Sequence, residues 1–109
     1  MVVHELKEIE LDRLFQALAD ATRRDIVARV LTSESSVSGL AARYDMSFAA
    51  VQKHVAVLER ALLVTKEKRG REQIVRAHPE GLGRVQRLLD EYEKIWLQRL
   101  GRIAEILEQ

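Results

Sequence analysis

The sequence has no cysteine, one proline and only five glycines in 109 residues. Without cysteine there are no disulfides, thiolate metal sites, cysteine nucleophiles or thiol-based redox sensors. With so little proline and glycine, long irregular stretches have no compositional source, and the chain reads as regular secondary structure nearly throughout. Aromatic residues are also sparse, at 5%. No apolar run approaches the roughly 20 residues needed to span a bilayer. The opening Met1–Glu8 has no basic start followed by an apolar stretch, so no secretion signal and a cytoplasmic location are expected. A nucleophile–base pair, a phosphate-cradling glycine loop and a close carboxylate pair are all missing, and an enzyme is therefore not expected.

What remains is a chain that is 47% hydrophobic and 32% charged, with a net charge of +1. Its length suits one domain with a modest core. The charge is unevenly placed. Residues 1–39 carry five Lys/Arg against seven Asp/Glu, residues 40–76 eight against four, and residues 77–109 five against six. The middle third is the basic part, as in a surface that meets nucleic acid, although a solvated basic surface has the same composition.

Hydrophobic spacing gives the elements. Leu11, Leu14, Phe15 and Leu18 fall at helical intervals and predict a first helix over about 8–19. Asp20 suits the N-cap of a second helix over 21–32, with Ile26, Val27, Val30 and Leu31 on its inner face. Thr32–Ser36 reads as a polar breaker. Ser38 is expected to cap a short third helix over 39–44, and Ser47 a fourth that runs to about Ala61 with Val51, Val55 and Leu58 inward. The period then changes. Residues 64–67 and 72–76 are short β-branched runs around Lys68-Arg69-Gly70-Arg71, which reads as a hairpin. Pro79 opens a last helix that continues to about Leu107.

Two short helices joined by a turn, followed by a hairpin with a basic tip, make a winged helix-turn-helix. The expected fold is therefore mainly α with a small β-hairpin wing, one domain over 1–109. Within it, 38–62 is the helix-turn-helix, 63–78 the wing and 79–108 a dimerisation helix. A helix fits the major groove of B-DNA and presents its N-terminal residues and outer face to base edges. On the fourth helix those residues are Ser47, Phe48, Ala49, Gln52, Lys53 and His54. Gln52 can bond an adenine edge, Lys53 a phosphate or guanine, and Ser47 a phosphate. Arg69 and Arg71 at the hairpin tip suit the backbone or the minor groove. Each residue also has a plainer reading: Gln52 and Lys53 as solvated surface, Phe48 as core filler that closes the turn, His54 as edge packing, the tip as an ordinary turn. An adaptor that binds a protein through the same fold is the main rival function.

The last helix carries Leu89, Tyr92, Trp96, Leu100 and Ile103 beyond what a small core can bury, and the first offers Leu14, Phe15 and Leu18. A twofold interface through these two helices is the expected solution, which makes the chain a homodimer on double-stranded DNA.

The stretches LFQALADATRRDIVARVL, VSGLAARYDMSFAAVQKHVAVLERALLV, KRGREQIV and LLDEYEKIWLQRLGRIAEIL resemble, in order, the opening, the helix-turn-helix, the wing and the long closing helix of ArsR-type regulators. The resemblance covers residues 11–107 and is nearest to members without metal-binding motifs. It implies a homodimeric repressor that occludes a promoter at a near-palindromic operator, with a DNA role for His54. Three positions depart from the pattern: Gln52 stands where the family has Ser, Leu62 where it has Gly, and Ala21 where it has Pro. The family's metal ligands are cysteines in the third helix or Asp and His in the last. Neither set is present, and His4, His54 and His78 have no partner at ligand spacing, so no metal site and no cofactor are expected. The sequence names no small-molecule effector.

Overall fold

The computed structural model describes residues 2–108, with side chains described for 7–108. The side chains of residues 1–6, including His4, lie outside the described residues. The elements in chain order are α1 (Val2–Leu18), α2 (Ala21–Thr32), β1 (Ser35–Ser36), α3 (Val37–Ala41), α4 (Phe48–Arg60), β2 (Val64–Arg69), β3 (Glu72–Ala77) and α5 (Pro79–Glu108). The strands form an antiparallel sheet in the order β1-β3-β2.

Caps fix where the helices begin. The Asp20 carboxylate accepts from the Arg23 N–H and starts α2, and the Ser47 hydroxyl accepts from the Ala50 N–H and starts α4, both as expected. The third helix departs from expectation. Its cap is Ser36, which accepts from the Gly39 N–H, and the helix spans Val37–Ala41 rather than 39–44. The cause is β1: Ser35 and Ser36 pair with Val75 and Ile74. The expected polar breaker therefore contains a strand, and the helix starts as soon as pairing ends. The His78 imidazole accepts from the Glu80 N–H at the start of α5, satisfying a donor that has no partner within the helix.

The core brings together one face of α1, α2, α3, α4, β2 and β3, while the two serines of β1 lie at its edge. Leu14, Ile26, Leu40, Val51, Val55, Leu58, Leu63, Val64 and Val75 are fully buried. The i, i+4, i+7 line of α4 faces inward as its spacing predicts. Leu82 and Val85 at the start of α5 pack against this core while remaining partly buried. From Leu89 onward every described residue of α5 is exposed. The radius of gyration is 18.5 Å, against about 13 Å for a compact chain of this length. The excess is the helix that projects away from the core.

The end of α4 is a Schellman motif. Leu63 N–H donates to Leu58 O and Leu62 N–H to Glu59 O, both at 3.0 Å. The motif needs a left-handed residue, and Leu62 supplies it with φ 61°. A side chain there costs about 1–2 kcal/mol relative to glycine. The Leu62 carbonyl lies against Gly81 of α5, where an added Cβ would come within 2.1 Å of the oxygen. Glycine at 81 is thus set by close approach of two backbones. At the wing tip Gly70 has φ 65° and Arg71 does not have positive φ. Positive φ at only the first of two loop residues is the type II′ hairpin pattern.

Candidate nucleic-acid interface

The N-terminal turn of α4 and the tip of the wing present the residues singled out in the sequence. Ser47, Phe48, Ala49, Gln52 and Lys53 are all exposed. Positions four apart share a helix face, so Phe48 and Gln52 form one short row and Ala49 and Lys53 another. Phe48 is 47% exposed and is not turn filler. Met46, partly buried against the cluster that contains Val51, closes the turn instead.

His54 sits apart from this outward set. Its Nδ1 accepts from the Arg23 guanidinium at 3.3 Å and lies 4.0 Å from the Asp20 carboxylate. A donor on Nδ1 leaves the neutral ring's proton on Nε2, the nitrogen turned away from Arg23. Arg23 also donates to the Ala17 and Gln16 carbonyls, and Arg24 to the Leu18 carbonyl. The two arginines thereby satisfy the open C-terminal carbonyls of α1. The Asp20–Arg23 turn holds three helices together: it caps α2, closes α1 and steadies α4 through His54. The Arg23 N–H bond to Asp20, with the nearby Arg23 charge, holds that carboxyl below its usual range. A positioning role for Arg23 was missing from the sequence reading. Its signal was the Asp-x-Thr-Arg spacing, but only the fold shows which carbonyls the arginine meets.

The wing is divided. Arg71 and Lys68 are exposed, and no described carboxylate lies within ion-pair distance of either. Arg69 is tied back: its guanidinium meets Glu34 at 2.8 Å and Glu67 at 3.3 Å. Arg76 meets the same two carboxylates, at 2.6 and 3.4 Å. Continuing the β1–β3 register by one residue puts Glu34 opposite Arg76. The Arg69 hydrogen bond, then that of Arg76, holds the Glu34 carboxyl below its usual range. Glu34 and Arg76 escaped the sequence reading because their link depends on that unexpected strand. A second tie steadies the turn between α3 and α4 against α2, where the Tyr44 hydroxyl donates to Asp25 and Arg29 stacks 6.0 Å from the ring centroid.

The expected interface residues separate in the same way. Leu89, Tyr92, Trp96, Leu100 and Ile103 of α5 are exposed, as is Phe15 of α1. Leu18 is partly buried against the core. Leu14 corrects the expectation: it is fully buried in the protomer's own core and has no surface to offer a partner. Among the described residues no group of three or more His, Cys, Asp or Glu side chains is placed to hold a metal ion. Among the described residues no helix is long and apolar enough to cross a membrane.

No protein-family model matches the sequence. The HTH-type transcriptional regulator Rv2034 of Mycobacterium tuberculosis is 35% identical over 97 residues, covering 89% of this chain and 88% of that protein. An ArsR-like transcriptional regulator from Rhodococcus sp. RHA1 is 36% identical with a TM-score of 0.80, covering 92% of each chain. The homodimeric winged helix-turn-helix DNA-binding domain Mb0332 of Mycobacterium bovis covers 83% of each chain with a TM-score of 0.64, and at 22% identity it supports the fold alone. Caps, sheet, wing and these relatives agree: the chain belongs to the ArsR family of winged helix-turn-helix transcriptional regulators, which are DNA-binding proteins and not enzymes.

Proposed function

We propose that the protein is a homodimeric, sequence-specific repressor that occludes a promoter at a near-palindromic operator, acts in the cytoplasm and senses no metal. The carrying observation is the exposed apolar line of α5, from Leu89 through Tyr92, Trp96 and Leu100 to Ile103. A second copy covers that line, and each large side chain so buried contributes on the order of 1.5–3 kcal/mol. A twofold pairing sets two α4 helices side by side, so half-site centres fall about 10 bp apart or at a multiple of that. Gln52 reads an adenine, Lys53 holds a phosphate or a guanine edge, Ser47 holds a phosphate, Ala49 lines the same face, and Arg71 reaches the backbone or minor groove. His54 adds its outward nitrogen. Arg69 contacts DNA only when phosphate displaces Glu34.

The test is selection of genomic fragments by the purified protein, with affinity followed across a salt series. An inverted repeat bound tightly, with a steep salt slope, supports the reading. Weak, uniform binding to every fragment overturns it in favour of a protein partner.

A further inference from the structure

Exposed large apolar residues among the described part of the chain fall mostly on α1 and α5, where the proposed second copy accounts for them. Phe48 does not. It is 47% exposed at the first position of α4, and the cap and turn beside it are complete without it: Ser47 caps the helix and Met46 packs below. Its row-mate one turn on is Gln52, which is also exposed. An aromatic ring at the first position of a groove-reading helix faces base edges, and the one apolar group on those edges is the thymine C5-methyl.

We infer that Phe48 is a specificity-determining residue whose ring packs on the methyl of a thymine in each half-site. The inference rests on the recognition-helix reading above. Four helical residues advance about 6 Å, and base pairs stack about 3.4 Å apart. The thymine therefore lies one or two base pairs from the adenine that Gln52 reads, and an A·T-containing step is fixed in the half-site by a pair of side chains one turn apart. The ring meets the methyl through dispersion and shared burial, so the contact distinguishes thymine from uracil and cytosine, which lack the group.

The experiment takes the operator recovered by genomic selection and replaces each thymine, one at a time, with deoxyuridine, which deletes only the methyl. Binding of the full chain and of Phe48→Ala is followed by fluorescence anisotropy. For the natural chain, one position per half-site weakens binding about fourfold, and both positions together about fifteenfold, the worth of burying one methyl at each site. The Phe48→Ala protein still binds the operator and is indifferent to uracil at those positions. Uracil tolerated at every position, or the same uracil effect in Phe48→Ala, overturns the inference while leaving the regulator intact. Recovery of no operator at all overturns the regulator reading, and this inference with it.

Discussion

The block from Leu14 to Ala77 and the far half of α5 are both regular, yet they are held in different ways. In the first, every helix start has a named cap, every helix and both strands of the hairpin contribute buried side chains to one cluster, and arginines close the open end of α1. In the second, the apolar line from Leu89 to Ile103 has the spacing of a buried face and no described residue of its own chain buries it. The first block is complete within one protomer. The second has the pattern of a face that meets a partner, and under the proposed dimer its stability would depend on protein concentration in a way the first does not.

The comparison is broken most completely at Trp96. Trp96→Glu places a charge in the middle of the exposed apolar line, and light scattering is expected to show only monomer, with the unfolding of the Leu14–Ala77 block unchanged. A variant that remains dimeric would place the interface elsewhere. Gly81→Ala attacks the junction of the two regions, where the new methyl meets the Leu62 carbonyl. A loss of about 1–3 kcal/mol in denaturant unfolding is expected for such overpacking; an unchanged midpoint would show that α5 shifts freely against α4. Arg71→Ala leaves folding intact, weakens binding to all sequences, and lowers the salt slope by about one unit. A slope equal to that of the natural chain would remove Arg71 from the phosphate contacts.

The smallest effect concerns the wing tie. The Glu34 carboxyl is held below its usual range by Arg69 and Arg76. A depressed carboxyl contributes stability above its unfolded value, and that contribution is lost as pH falls through the folded one. Acid unfolding of the natural chain therefore includes a contribution below the ordinary carboxylate range that Glu34→Gln lacks. Parallel pH profiles for the two proteins would show that the tie adds nothing to folding.

The spacing of apolar residues is strong where an element is long and packs on one side, and α2, α4, the hairpin and α5 were legible for that reason. β1 was not, because Ser35 and Ser36 have no strand preference of their own and are extended only by pairing with Val75 and Ile74. Its invisibility propagated. Ser36 and Ser38 are equally good caps in the sequence, and the strand end decides between them. Leu14 and Phe15 show another limit. Adjacent residues on a helix edge share the same period, and spacing alone does not say which faces the home core and which the exterior. At the candidate interface, the outward row of α4 was readable from the inward one. The restraint on Arg69 was not, since its partner Glu34 is 35 residues away.

The contact of the Leu62 carbonyl on Gly81 makes α5 a lever with its fulcrum at the end of the recognition helix. Thirty residues at about 1.5 Å each give an arm of about 45 Å. A tilt of about 10° at the fulcrum sweeps the far tip through about 8 Å on an arm of that length. Run in reverse, a side-chain-sized displacement at the tip amounts to only a few degrees at α4. With no methyl between the two backbones, a rotation of α5 bears directly on the end of α4; in the proposed dimer, the angle at which two copies meet along α5 would set the angle at which each presents Phe48 and Gln52.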